Sequence, residues 1–200
     1  MKVLGISGSP RAGGNTDTLL DKALEGAASS GARIEKIILN DLDIHPCQEE
    51  EYENVTSDGF SVIDDDMQLV YGKIKTSNVL ILAAPIFFGS LSAQTKMMID
   101  RFQCVWVTKK RCGKEAFSEK TGGFICVEAT TRRDFFDNAR SIVRHFFATI
   151  NVKYEGEVFC PGVEKKGDIL RHPEFFKQAR KMGKTLAFDL SDPDIGKGNS

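Results

Sequence analysis

The run Val79-Leu80-Ile81-Leu82-Ala83-Ala84 constrains this chain most. A half-buried strand alternates apolar and polar residues, whereas a run that is apolar throughout suits a strand covered on both faces in a parallel sheet. Parallel neighbours need crossover connections, and these are usually helices. The rest of the chain supplies them. Residues 2–7 read as a short apolar strand and 8–14 as a Gly/Ser/Pro turn. From Asn15 the period changes, with Leu19, Leu20, Ala23, Leu24, Ala27 and Ala28 at helical spacing until Gly31 stops the helix. A second strand is expected over 34–39 and a helix over 67–76. The buried strand is assigned to 78–84, followed by a loop over 85–91 and one helix over 92–105. A basic connection over 107–120 leads to a strand over 122–128 and a loop over 129–132. Phe135, Phe136, Ala139, Ile142, Val143, Phe146 and Phe147 mark an amphipathic helix. An edge strand over 152–160 and a helix over 173–190 follow, the latter with Phe175, Phe176, Ala179, Met182 and Leu186 inward.

Five strands alternating with helices define an α/β doubly wound sheet. With 200 residues, 41% of them apolar and 28% charged, the chain suits one domain over 1–192 with a frayed tail over 193–200. The acidic stretch 40–61, with Glu49-Glu50-Glu51, reads as a solvated surface loop. A net charge of -1 argues against a nucleic-acid module, which carries a concentrated Lys/Arg surplus. No apolar run nears the ~18 residues of a membrane span, and the start is too soon interrupted for a signal peptide, so a cytoplasmic location is expected. Five widely spaced cysteines without a CxxC argue against a disulfide framework and a zinc site. Cys126 and Cys160 read as core residues, Cys47 and Cys112 as free thiols in loops. His45, His145 and His172 form no metal-spaced pair.

Ligands of such sheets bind beyond the carboxyl ends of the strands. The first such loop is Gly8-Ser9-Pro10-Arg11-Ala12-Gly13-Gly14-Asn15-Thr16. Standing between a strand and a helix, it gathers backbone N–H groups and the helix dipole around one point. Ser9, Asn15 and Thr16 can donate to phosphate oxygens and Arg11 adds charge. The plainer alternative is a Gly-rich turn capped by Asn15. Gly8 and Gly13 have P-loop spacing, but the lysine that reaches the terminal phosphates is missing, and no GxGxxG exists. The next loop, Pro85-Ile86-Phe87-Phe88-Gly89-Ser90, puts two aromatics at the same edge. They either cover the core or stack on a flat ligand. A ligand with one phosphate and one planar ring, such as FMN, meets both loops. Residues 128–132 form the third loop at this edge. Lys109-Lys110-Arg111 and Arg132-Arg133 are either solvated charge or an attraction for NADPH phosphates.

Gly8-Ser9-Pro10-Arg11…Gly14-Asn15-Thr16 and Pro85-Ile86-Phe87-Phe88-Gly89…Lys96…Ile99-Asp100-Arg101-Phe102 resemble the NADPH-dependent FMN reductase group of the flavodoxin-like superfamily. Within it they resemble the branch of the iron–sulfur flavoproteins. The resemblance implies a flavodoxin-like sheet of five parallel strands in the order 2-1-3-4-5, with helices on both faces. It implies non-covalent FMN, held by Ser9, Arg11, Asn15 and Thr16 at the phosphate. Pro85, Ile86, Phe87, Phe88, Gly89 and Ser90 would lie against the ring, and Glu128, Thr130 and Thr131 would close the site. NAD(P)H would be co-substrate, an unidentified acceptor would take the electrons, and no side chain need act as acid or base. A homodimer or higher homo-oligomer would wall the flavin, with 92–105 and Trp106 at the contact. The alternatives are an FMN electron carrier without enzymatic activity, and a regulatory protein that has lost the cofactor. Relatives of the iron–sulfur branch carry a compact cysteine cluster after the second strand. Here His45-Pro46-Cys47 is followed by Gln48-Glu49-Glu50-Glu51-Tyr52. One thiolate cannot replace the usual four ligands, so no iron–sulfur cluster is expected.

Overall fold

The computed structural model describes residues 1–48, 55–57 and 59–188. The expected solvated run Glu49–Glu51 and the expected tail 193–200 lie outside these residues. Strand β1 (Lys2–Ser7) leads to helix α1 (Asn15–Ala28) and strand β2 (Arg33–Ile38). Helix α2 (Met67–Thr76) precedes β3 (Val79–Phe87), which turns back into the two-residue β4 (Ser90–Leu91). Helices α3 (Ala93–Asp100) and α4 (Gln103–Cys112) lead to β5 (Lys120–Val127). Helix α5 (Arg133–Thr149), β6 (Val152–Cys160) and α6 (Pro173–Phe188) complete the order.

Five strands run parallel in the order β2-β1-β3-β5-β6. With the antiparallel β4 set aside, this is the expected 2-1-3-4-5 order. The apolar run lies at the centre, with residues 79–84 buried at every position. Successive side chains point to opposite faces, so each parity feeds one core. Val79, Ile81 and Ala83 join Leu19, Leu20, Ala179 and Leu186 beneath α1 and α6. Leu80, Leu82 and Ala84 join Tyr71, Phe102, Phe146 and Phe147 beneath α2, α4 and α5. Helices α1 and α6 touch through glycine: a Cβ on Gly183 would fall 1.8 Å from the Ala23 carbonyl oxygen. No helix among the described residues is long and apolar enough to cross a membrane.

Three expectations need correction. Proline removes a ladder donor, and Pro85 was expected to end the buried strand, yet β3 continues to Phe87. Ala83 faces β1, accepting from the Gly8 N–H at 2.8 Å, so Pro85, two residues on, faces the same side. The register of β1 against β3 stops at Ser7–Ala83, and no ladder bond is lost at Pro85.

The second correction concerns 92–105, which is two helices rather than one. The chain is interrupted at Arg101-Phe102, where the Arg101 carbonyl accepts from Tyr71 Oη (2.6 Å) and Cys104 Sγ (3.2 Å). The basic connection shrinks because α4 reaches Cys112, and the left-handed Gly113 then caps it. Cys112 is therefore an exposed helical residue, not a loop residue.

The third correction concerns 40–61, whose described residues are not all on the surface. Ile44, Phe60 and Ser61 are buried. Arg101, 1% exposed, pairs with the Asp65 carboxylate and donates to the His45 carbonyl (2.9 Å) and Ser61 Oγ (3.2 Å). The N–H groups of His45 (2.9 Å) and Met67 (3.0 Å) donate to the same carboxylate. Burial alone would raise the Asp65 pKa, but Arg101 and these two N–H groups outweigh it and hold the carboxyl below its ordinary range.

Candidate functional site

Helix α1 starts without a side-chain cap, its N-cap being Gly14. The loop before it is held from within. The Arg11 N–H donates to Ser9 Oγ (3.2 Å), and the Gly14 N–H to the Arg11 carbonyl (3.0 Å). Ser92 Oγ donates to the Gly8 carbonyl at 2.5 Å, tying the loop to the start of α3. The acidic residue of the first turn does not fill the mouth. Asp17 accepts from the Gly13 N–H (3.2 Å) and pairs with Lys36 Nζ (2.7 Å). Burial penalises the Lys36 cation, but Asp17 and Asp21 more than offset that and raise its pKa. The N–H groups of Asn15 and Thr16 have no acceptor among the described residues. Such first-turn donors, reinforced by the helix dipole, attract an anion.

These groups open into a hollow of about 240 Å³. Ser9, Arg11, Asn15 and Thr16 line one side, and Pro85, Ile86 and Phe87 another. Seven of the thirteen expected site residues therefore converge here. Thr16 is 3% exposed, and its hydroxyl makes no hydrogen bond with the described residues. Asn15 is more fully engaged than expected: its Nδ2 donates to the Lys165 carbonyl (2.8 Å) and its Oδ1 accepts from the Gly167 N–H (2.9 Å).

The other six stand around the hollow rather than in its wall. Phe88 and Gly89 form the tip of the β3–β4 hairpin with φ of 50° and 75°, as a two-residue turn with both central residues left-handed requires. Ser90 begins β4. Asn138 Nδ2 donates to the Gly89 carbonyl (2.8 Å), and a Cβ on Gly89 would lie 3.0 Å from the Phe135 ring. Phe88 is fully exposed in a conformation that is unfavourable for a non-glycine residue. Glu128 is buried at the end of β5; one carboxylate oxygen accepts from Thr130 Oγ1, and the other has no partner among the described residues. Thr131 is exposed.

Residues outside the expected set complete the hollow: Gly14, Val127, Ala129, Val163, Glu164 and Lys166. The last three belong to the connection between β6 and α6. The rule that drew attention to loops at the carboxyl ends of strands applies to this loop as well, and Lys165-Lys166 beside Gly162 and Gly167 were its visible signal. A larger groove of about 760 Å³ runs between α3–α4 and α5, with the partly exposed Trp106 in its wall. Its lysines are engaged: Lys96 bonds Asp100 (2.6 Å), and Lys110 Nζ sits 4.9 Å from the Trp106 ring centre. The smaller hollow is the candidate site because free backbone donors converge only there among these two.

Beyond Cys47, the cysteines stand on three separate elements, with Cys104 and Cys112 on α4, Cys126 on β5 and Cys160 on β6. Cys104, Cys126 and Cys160 are buried and Cys47 half-buried. Burial raises the thiols of Cys104 and Cys126 and pushes Cys160 up to about 12, so these sulfurs stay protonated. Among the described residues no three His, Cys, Asp or Glu side chains group as metal ligands, and residues 49–54 contain no cysteine. These residues do not fit a four-thiolate cluster.

The sequence model of the NADPH-dependent FMN reductase family matches residues 1–153. An iron-sulfur flavoprotein of Methanocaldococcus jannaschii is 38% identical over 194 residues, covering 94% of this chain and 96% of that protein. YwqN of Bacillus subtilis, provisionally named an NAD(P)H-dependent FMN-containing oxidoreductase, is 28% identical over 183 residues, covering 91% of this chain and 96% of that protein. Among solved structures, the NAD(P)H:quinone oxidoreductase of Methanothermobacter marburgensis shares the fold, with a TM-score of 0.72 at 21% identity over 93% of this chain and 96% of that one.

Proposed function

Since this chain belongs to the NADPH-dependent FMN reductase family, we propose that it is an oxidoreductase that draws electrons from NAD(P)H through non-covalent FMN and passes them to a second acceptor. The observation that carries this reading is the uncapped start of α1. Its free N–H groups, the Thr16 hydroxyl, Ser9 and Arg11 suit a terminal phosphate, and the residues present fit FMN on that ground. When bound, FMN would supply hydride acceptance and onward electron transfer. The protein's part is to bind, orient and shield. Pro85, Ile86 and Phe87 would flank the ring. The Phe88-Gly89-Ser90 tip and Glu128, Thr130 and Thr131 would border its open side. At about 240 Å³ the hollow is smaller than the ~300 Å³ at which enclosed ligand sites begin, which favours an enclosed phosphate end and a ring open to substrates.

We further propose that no iron–sulfur cluster is present, although the Methanocaldococcus jannaschii relative is named an iron-sulfur flavoprotein. In support, Cys47 is the only thiol of the 40–61 segment. A homodimer with Trp106 near the contact would screen that ring, and five cysteines of which none forms a disulfide accord with a reducing cytoplasm.

An absorbance spectrum and mass analysis of the released cofactor test the reading. FMN is expected; FAD, or no flavin uptake at all, would sink it. FMN uptake without NAD(P)H oxidation would make the protein an electron carrier. Near-stoichiometric iron and acid-labile sulfide after anaerobic purification would overturn the no-cluster proposal. Sedimentation giving only monomer at micromolar concentration would overturn the dimer.

A further inference from the structure

We propose that the 161–172 connection forms the outer wall of the phosphate subsite, and that Lys166 is the residue by which the protein selects a flavin with a terminal monophosphate. The proposal rests on the FMN reading above and gives it a specificity-determining residue outside the family-like loops.

The connection is tied to the phosphate loop by side chains across about 150 positions of sequence. Asn15 grips it through the Lys165 carbonyl and the Gly167 N–H. Arg11 Nη1 donates to the Glu164 carbonyl (3.3 Å), and Lys166 Nζ donates to the Ala12 carbonyl (2.8 Å). Lys166 and Arg11 thus approach the mouth of α1 from two distant segments of the chain.

Their partners carry the argument. Both cations rest on neutral carbonyls, and neither pairs with a carboxylate among the described residues. Elsewhere in the fold exposed cations find acids readily, as Arg132 does with Asp134 and Arg171 with Asp168. Two uncompensated cations beside a helix N-terminus with open N–H groups repel one another and the helix dipole, and an anion relieves both. The Thr16 hydroxyl, which makes no hydrogen bond with the described residues, is a further donor in the same hollow. The one carboxylate in the wall belongs to Glu164, which is exposed, and Arg11 donates to the main-chain carbonyl of that residue rather than to its carboxylate. A monophosphate ends inside this wall. A diphosphate carrying a second nucleotide must continue through it, past Glu164 and Lys166, so the wall favours FMN over FAD.

The test uses the full chain stripped of cofactor, titrated with FMN, riboflavin and FAD and followed by flavin fluorescence. Lys166→Met keeps the apolar stem and removes the charge. It is expected to weaken FMN about tenfold to a hundredfold while leaving riboflavin unchanged. Added salt should weaken FMN binding to the wild type more than to this variant. Lys166→Arg restores the charge and is expected to recover most of the FMN affinity. Equal losses for FMN and riboflavin, or no loss of FMN, would overturn the role of Lys166 and leave the FMN reading intact. Wild-type protein that takes up neither flavin would overturn both.

Discussion

The corner at the start of α1, proposed to hold phosphate, and the Arg101–Asp65 cluster are both polar knots that fasten loops to the sheet, and they are built on opposite principles. Around Arg101 the polar groups are closed in on each other. The guanidinium meets a carboxylate, a carbonyl and a hydroxyl, and the carboxylate also takes two backbone N–H groups. Arg101 and the Asp65 side chain are essentially inaccessible to water. At the start of α1 the donors outnumber the acceptors, the cations rest on carbonyls, and the cluster opens into a hollow. A knot in which only Arg101 Nε lacks a partner among the described residues, and which is closed to water, has little left to offer a ligand, so it stabilises. An unsaturated one is incomplete without a ligand.

The sharpest break of this comparison is Arg101→Leu. Removing one member of a buried pair leaves the other charge uncompensated and typically costs ~3–5 kcal/mol. Urea unfolding should show that loss, and a loss under ~1 kcal/mol would mean the knot is not structural. At the other knot, Arg11→Ala should lower FMN affinity by ~1.5–3 kcal/mol and riboflavin affinity far less. Its urea midpoint without flavin should stay at the wild-type value; a fall in that midpoint instead would make Arg11 a structural residue.

Acid distinguishes the knots in a third way. The Asp65 pKa is lowered by folding, so its contribution is fully present above the ordinary carboxylate value of ~4 and is lost as pH falls through the lower folded value. The stability advantage of wild type over Asp65→Asn should therefore shrink below pH ~4 and be flat above it. An advantage that grows on acidification would reverse the assignment. The smallest effect is expected at Glu164→Gln. Removing an exposed charge from the wall should tighten FMN by no more than about fivefold at low salt, and the gain should vanish at high salt. Weaker binding in this variant would mean that the carboxylate helps to hold the ligand.

Much of the phosphate corner was legible because its signals are local. Gly, Ser and Pro between an apolar strand and a helical period mark a strand-to-helix turn, and the observed α1 begins at Asn15 as expected. Helix α2 and strand β6 match for the same reason, since period and length decide them. The Arg101 knot was not legible. Nothing in the pattern of 92–105 distinguishes a helix that breaks at Arg101 from one that runs through. The break is fixed by Tyr71, thirty residues earlier, bonding the Arg101 carbonyl. Pro85 misled in the opposite direction: its missing N–H matters only if a strand lies on that side, and β1 had already ended.

The sequence alone determined the class of fold and the first wall of the site. An apolar run at every position must be covered on both faces, helical periods between strands supply the cover, and the edge where strands end in glycine-rich turns follows from that. Tertiary structure decided which distant chain completes the site. Lys165 and Lys166 mark a glycine-flanked loop after a strand, but nothing local says which of the two lysines meets the hollow. Lys166 becomes a candidate contact only because Asn15 and Arg11 hold the 161–172 connection beside the start of α1, where its ammonium rests on the Ala12 carbonyl and not on a carboxylate. Hydrogen bonds between residues some 150 positions apart depend on packing and chain path, and a linear pattern records neither.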